Sequence, residues 1–476
     1  MPDIRYVALS DTHFGADNSL LTYLGPGCRS ADPMRPSPAL EQLVACLRAL
    51  IAGNQGKEKP TLILNGDILE LALTTDNRAA MAFERFLELL FPRDGEALFR
   101  DRVYYLPGNH DHHLWETARE ALYLRYIAGE EPDKPINPPW HATNLFLEQV
   151  RTLCPTHLLD TLARRRGLER VSFITAYPNL GLVSKDERRA VIFTHGHFAE
   201  SIYTMVTRLM TILFPQRIVP NQVWELEAEN FAWIDFFWSA LGRSGQAGEN
   251  IELIYDKLQD EEAFGELLDN LARGLVQGSN KMPGFGQRMK AWLAGRMLRG
   301  TVGKIANVEV QHKEEPLSQD AEEALKRYLE GPLRAQVLSE RPSVPAEVTV
   351  VFGHTHKPFE RASSYQGYEE NVKLYNSGGW VVDTLDTRAP VGWAVILVDE
   401  ELNTASLRFA GQKRSGPDAI CVGRADGTGV AANPLHQHLV KLVDSTRAPW
   451  STFLESLGAS AANHLDNLKS KISSPA

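Results

Sequence analysis

Nine side chains able to bind a metal ion or move a proton stand at five separated points of the chain: Asp11 and His13, Asp67, Asn109 and His110, His195 and His197, and His354 and His356. Together they are imidazoles, carboxylates and one amide, with no thiolate. That donor set suits Mn, Fe or Zn better than Ca or Mg. Residues i and i+2 of an extended segment point the same way, so Asp11/His13 and His354/His356 are expected to be two forks, each gripping one ion or two adjacent ones. Two metal ions held close together activate a bridging water and neutralise the charge of a phosphoryl group, and a lone aspartate between them can bridge both. Each piece alone has a plainer reading. Asp-x-His is often a turn, Gly-Asp a loop dipeptide, His-Gly-His a surface loop. Gly353-His354-Thr355-His356 is the rarest of them.

The plainer readings lose ground once the elements before these residues are considered, because each group follows an apolar run that reads as a strand. The runs are Ile4 to Ser10, Thr61 to Asn65, Val103 to Leu106, Ala190 to Thr194 and Val348 to Phe352. The third breaks at Pro107-Gly108 and delivers Asn109, His110 and Asp111 onto a loop. Helical periodicity runs from Leu40 to Ile51 and again from after Asp67 through Leu90, and residues 112–170 read as mostly helical around a proline-rich break at Pro132 to Pro139. Residues 15–38 read as loop and 198–345 carry no strand signal. Shorter strands are expected near Lys373 to Tyr375, Gly392 to Val398 and Ala405 to Phe409, and the tail from Gly411 is glycine-rich and then helical. Strands alternating with helices predict an α/β fold with a site along one sheet edge.

The 476 residues are ordinary in composition, 43% hydrophobic, which is ample for a sizeable core. A net charge of −10 argues against a general nucleic-acid binder, which needs a basic footprint. Cys28, Cys46, Cys154 and Cys421 are widely spaced, which fits a reducing compartment and excludes a cysteine zinc cluster. No secretory leader is legible and no apolar run reaches the about 18–20 residues of a membrane span. A cytoplasmic protein is expected, with room for peripheral contact at the inner face of a membrane.

The order Asp11-x-His13, Gly66-Asp67, Gly108-Asn109-His110-Asp111, His195-Gly196 and Gly353-His354-x-His356 resembles the calcineurin-like metallophosphoesterases. The motifs span residues 9–358. The resemblance implies a four-layer αββα sandwich, two sheets flanked by helices, with a large mainly helical insertion in this chain. It also implies two divalent transition-metal ions, Mn first, then Fe or Zn. One would be held by Asp11, His13, Asp67 and His356, the other by Asp67, Asn109, His195 and His354, and His110 would be catalytic. Gly66-Asp67-Ile68-Leu69-Glu70 departs from the Asp-Arg-Gly signature of the protein phosphatases. With Gly-His-Thr-His-Lys-Pro at 353–358 and Asn-Ser-Gly-Gly-Trp at 376–380, it is nearer in style to the UDP-diacylglucosamine pyrophosphate hydrolases. Two positions depart from that branch: His110 stands where those enzymes commonly carry Arg, and His197 where they carry Asp.

Residues 198–345 separate a first core part (1–197) from a second (346–410), which is followed by a tail (411–476). Thr204, Thr207, Arg208 and Thr211 share one helical face, and Trp224, Phe231, Trp233, Phe236, Phe237 and Trp238 crowd together. Lys281, Arg288, Lys290, Arg296, Arg299 and Lys304 lie in a stretch without an acid, beside an apolar stripe of Met289, Trp292, Leu293 and Met297. The plain reading is a helical subdomain with one solvated basic face. The functional one is a cap that binds an amphiphilic phosphoester, with membrane contact through 281–304. The expected function is dinuclear metal-dependent hydrolysis of an amphiphilic or nucleotide-linked phosphoester. A nuclease or other phosphodiesterase, and a non-catalytic scaffold with this fold, are the alternatives.

Overall fold

The computed structural model describes residues 1–56, 58–146, 154–199, 203–235, 316–383, 392–410, 419–425 and 433–473. In chain order the strands are β1 (Ile4–Leu9), β2 (Thr22–Tyr23), β3 (Asp32–Pro36), β4 (Thr61–Asn65), β5 (Arg102–Leu106), β6 (Ser172–Thr175), β7 (Asn179–Val183), β8 (Arg189–Thr194), β9 (Glu347–Phe352), β10 (Phe359–Ser363), β11 (Val372–Asn376), β12 (Gly392–Asp399), β13 (Thr404–Ala410) and β14 (Ile420–Gly423). They build a seven-stranded sheet, β14-β13-β12-β1-β4-β5-β6, a five-stranded sheet, β10-β11-β9-β8-β7, and the small pair β2-β3. The first sheet is parallel from β1 through β6, and β8, β9 and β11 are parallel in the second. Parallel strands end on the same side. The Asn65 side-chain amide donates to the Thr194 carbonyl (2.9 Å), tying the two sheets together at that side.

Side-chain alternation along the strands makes the layers. Val7 and Leu9 of β1, Leu62 and Leu64 of β4, and Val103 and Tyr105 of β5 face a helical layer. Ala8 and Ile63, the residues between them, and Leu106, the one after Tyr105, face the other sheet and meet Leu180, Leu182, Val191, Phe193 and Val351. The helical layer on the first sheet includes α1 (Pro38–Ile51) and α2 (Asp76–Leu90). Helix α1 starts where Ser37 accepts from the Leu40 N–H and Pro38 takes the first turn. The C-terminal helix Trp450–Ser473 adds Trp450, Phe453, Leu457 and Ala461 to the same core.

The outer face of the second sheet, with Ala190, Ile192, Val348, Val350 and Phe352, is covered by segments of 198–345. Phe198, Tyr203, Val223, Ile234, Leu325, Leu329 and Leu333 pack there. This layer holds α5 (Met205–Leu213), α6 (Val223–Ile234) and one long helix made of Gln319–Tyr328, a π turn at Leu329–Leu333 around Pro332, and Arg334–Glu340. After β5 come α3 (His113–Gly129) and α4 (His157–Arg165), which put Leu114, Leu159, Leu162 and Ala163 into the core of the first sheet's helical layer. The architecture is the expected four-layer α/β sandwich. Strands β6, β7, β10 and β14 and the β2–β3 pair are short and escape a periodicity reading. The basic segment 281–304, and Phe236, Phe237 and Trp238 of the aromatic cluster, lie outside the described residues. Among the described residues no helix is long and apolar enough to cross a membrane.

Candidate metal centre

The strands stop before the candidate residues: β1 at Leu9, β4 at Asn65, β9 at Phe352. The expectation that Asp11/His13 and His354/His356 are forks on extended backbone is therefore corrected. Asp11, His13, Asp67, His354 and His356 all have left-handed backbone, with φ of 50°, 45°, 52°, 69° and 54°. Among the described residues they are five of the seven non-glycine residues with positive φ. Each such residue costs roughly 1–2 kcal/mol, so the surroundings must over-determine it. They do so with backbone bonds from Asp11 N to Gly66 O (2.9 Å) and His13 N to Asp67 O (3.0 Å), and from His354 N to Asp11 Oδ1 (2.8 Å).

Asp111 does not enter the centre. Its buried carboxylate turns away and accepts from the N–H groups of Ile68 (2.8 Å), Leu69 (3.2 Å), Asp67 (3.3 Å) and Gly108 (2.7 Å), binding the β4 and β5 loops together. The loops come close enough to need glycine. A Cβ on Gly66 would sit 2.2 Å from the His195 ring, and one on Gly108 2.2 Å from Asp67 Oδ1.

Eight sequence-predicted residues meet at this edge. Donor atoms of Asp11, His13 and His356 lie within 4.8 Å of one another, as do those of Asp67, His195 and His354. In the first group His356 Nε2 is 3.3 Å from His13 Nε2 and 3.5 Å from Asp11 Oδ1. In the second, His195 Nε2 is 2.8 Å from Asn109 Oδ1, 3.2 Å from His354 Nδ1 and 3.3 Å from Asp67 Oδ2. Asp67 Oδ2 also lies 3.8 Å from His13 Nε2, so this one oxygen faces both groups. Four ligands at about 2.0–2.1 Å around one ion put neighbouring donor atoms roughly 3.3 Å apart, close to the spacings seen here. His110 sits edge-on to His13, with ring centroids 4.9 Å apart.

The ring orientations are fixed from outside. His13 Nδ1 donates to Glu70 Oε2 (2.8 Å), His356 Nδ1 to Asp383 Oδ2 (2.8 Å), and His195 Nδ1 makes a longer contact with the Asn65 carbonyl (3.4 Å). These acceptors leave Nε2 as the inward atom of each ring. Two Nε2 atoms 3.3 Å apart repel unless a proton or a cation lies between them. Asp11 Oδ2 is buried without a hydrogen-bond partner, which also fits a cation. The electrostatics agree. Burial alone would raise the carboxyl of Asp67, but the imidazoles of His195, His110 and His13 hold it well below its usual range. Burial alone would deprotonate His195, yet Asp67 and Asp11 push it up to about 9. His356 is lifted in the same way by Asp11 and Asp383. The buried acids gather positive charge, as protons on imidazoles when no metal is there. The residues fit a pair of divalent ions.

Glu70 and Asp383 were not singled out from the sequence. Glu70 is buried, accepts from the Ala72 and Leu73 N–H groups (2.9 and 2.8 Å), and holds both His13 and His110, the latter through Nδ1 at 3.0 Å. The available signal was an acid inside an apolar run, Ile68 to Ala72, which must be paired if it is buried. Asp383 left no such signal. Replacing Glu70 by alanine should weaken metal binding at the first group about 10–100-fold, the usual effect of losing an outer partner, and should also slow turnover by freeing His110. Metal titration together with single-turnover rates would check this, and full affinity at the first group would refute it.

His197, the second histidine of His-Gly-His, is buried outside both groups. Its ring stacks on Tyr177 and on His195, with centroids 6.2 and 5.8 Å apart.

Residues 4–218 match the family model described as calcineurin-like phosphoesterase. Among curated proteins the chain has no match. Among solved structures it is similar to a phosphopantetheinyl hydrolase from Mycobacterium tuberculosis, with 13% identity over 81% of this chain and 97% of that one and a TM-score of 0.23.

Proposed function

We propose that this chain, whose residues 4–218 match the calcineurin-like phosphoesterase model, is a dinuclear metal-dependent hydrolase acting on an amphiphilic or nucleotide-linked phosphoester. The observation that carries the dinuclear reading is Asp67 Oδ2, which faces His13 Nε2 on one side and His195 Nε2 on the other. In this reading Asp11, His13, Asp67 and His356 hold one ion and Asp67, Asn109, His195 and His354 the other. Manganese is the first choice, iron or zinc the others, since the donors are nitrogen and oxygen only. Two such ions supply charge neutralisation at a phosphoryl group and a water of lowered pKa.

The protein groups do the rest. His110 is the proton carrier, placed to protonate the oxygen that leaves phosphorus. Glu70 Oε1 and Oε2, each 3.0 Å from His110 Nδ1, hold that ring by its Nδ1 side. The His110 backbone N–H donates to Asp67 Oδ1 (2.8 Å), which ties the β5 loop to the carboxylate that faces both groups.

The substrate class rests on the sequence of 198–345. Residues 1–197 and 346–410 are read as catalytic core, 198–345 as a substrate-selecting insertion and 411–476 as a tail. The basic stretch with its Met and Trp stripe fits an anionic, amphiphilic partner, each Lys or Arg near an anionic membrane contributing about 1 kcal/mol. A panel of phosphomonoesters, phosphodiesters and pyrophosphates, lipid-linked and nucleotide-linked, given to the Mn-loaded chain tests this. Neutralising Arg288, Lys290, Arg296 and Arg299 should hardly change hydrolysis of a small chromogenic phosphodiester, while turnover of a lipid-linked substrate and binding to anionic liposomes should fall. Equal loss on both substrates points to a structural role for the stretch. If the unmodified chain ignores liposomes and prefers oligonucleotides, the nuclease reading replaces this one.

A further inference from the structure

Behind the second ligand group runs a chain of buried side chains that the reaction does not use. His197 stacks against His195 at an interplanar angle of 30° and against Tyr177 at 12°, and Tyr203 meets its edge at 72° with centroids 4.9 Å apart. Both tyrosine hydroxyls donate to one carboxylate, Glu227 of α6, from Tyr177 at 2.8 Å and from Tyr203. Glu227 Oε1 is also 4.0 Å from His197 Nε2. All four residues are at most 2% exposed. A second tie lies one helical stretch further on, where Asp235 Oδ1 is 3.6 Å from His112 Nδ1 and 3.4 Å from His113 Nδ1, just after the β5 loop.

A buried acid that accepts two hydroxyls and makes no contact with the ligand atoms acts through its neighbours. His197 is poorly placed to be a ligand. Its nitrogens belong to neither ligand group, and its ring lies beside that of His195, tilted by 30° with centroids 5.8 Å apart. What His197 gives His195 is a wall.

We infer that Glu227, through Tyr177, Tyr203 and His197, positions His195 for the second metal ion, so that helix α6 of the insertion and the metal centre form one mechanical unit. This rests on the dinuclear reading above and adds to it a reason why the insertion cannot be indifferent to the chemistry.

The test is Mn²⁺ titration of the full chain by calorimetry, read as two separate affinities, with the thermal midpoint as a folding control. His197→Ala should lower the second affinity about 10–100-fold, the range for outer supports of a ligand, and leave the first within about threefold. His197→Phe keeps the stacked ring and should restore the second affinity to within about threefold of the unmodified chain. Glu227→Gln and Tyr203→Phe, which keep the packing volume, should give smaller losses at the second site only. Glu227→Gln combined with His197→Ala should be no worse than His197→Ala alone, because both act through one ring. The inference is overturned if His197→Phe is as weak as His197→Ala, if both affinities fall together, or if the two losses multiply. An unmodified chain that binds a single Mn²⁺ would remove the dinuclear reading itself, a result distinct from these.

Discussion

An Asp67→Asn chain should fail to hold either metal ion and should lose hydrolysis by on the order of 10³-fold or more. The magnitude follows from Lewis-acid stabilisation worth several kcal/mol, converted at tenfold per about 1.4 kcal/mol. Asparagine has nearly the same shape, so the result isolates charge from packing. Its oxygen would keep the bond from the His110 N–H, now 2.8 Å from Asp67 Oδ1. Its amide nitrogen would then replace Oδ2, turning donor hydrogens toward the space that His13 Nε2 and His195 Nε2 both face. One substitution thus withdraws a charge and a lone pair from two sites at once, whereas His195→Ala should empty only the second. Elemental analysis of the purified variants decides it: full metal content in Asp67→Asn would sink the bridge assignment.

The second large effect concerns His110. His110→Ala should retain both ions and lose about 10²–10⁴-fold in rate, the usual weight of general acid help. Retention is expected because His110 contributes no atom to either ligand group, although it stands within reach of Glu70 and His13. Its protonation can be followed in the metal-stripped chain. Burial opposes the proton, but the carboxylates of Glu70 and then Asp67 outweigh it and lift the imidazole from 6.5 to about 9. The sign is that of a raised base: the stability it contributes is complete below pH 6.5 and is lost as pH rises through about 9. Nuclear magnetic resonance of the ring should place the midpoint above 6.5, and a midpoint below it would contradict the Glu70 pairing. A His110→Ala chain that lost a metal would move His110 from proton carrier to ligand.

The parts of the centre that were legible in the sequence share one property: each follows an apolar strand, and four of the five have a glycine directly beside them. Chemistry at strand ends is local information, so Asp11, His13, Asp67, Asn109, His110, His195, His354 and His356 could be gathered before any geometry. What escaped is the information that packing creates. Glu70 takes its role only where the β1 and β5 loops bring His13 and His110 together at its carboxylate. Asp383 reaches His356 from a loop 27 residues on. Asp111 sits in the most suggestive run of the chain and yet serves the backbone, because four N–H groups converge on it. The left-handed residues were invisible for a related reason. Local preference argues against them at aspartate and histidine, and only contacts between loops, within the first sheet and across to the second, hold them there.

Strands β8 and β9 are parallel neighbours, with Arg189 opposite Glu347. Parallel neighbours cannot be joined by a tight turn; the chain must cross over one face of the sheet to return, in at least a dozen residues. Once that crossing exists, lengthening it is cheap, since each doubling of a flexible connection adds only about 0.6 kcal/mol of closure entropy. The topology therefore gives this crossing room to lengthen, shorten or exchange a large piece of sequence while the two strands it joins, and the histidines that follow each of them, stay in register. Divergence among relatives of this chain should accumulate between His197 and Glu347, with residues such as Glu227 retained only in lineages whose crossing still leans on the second histidine pair.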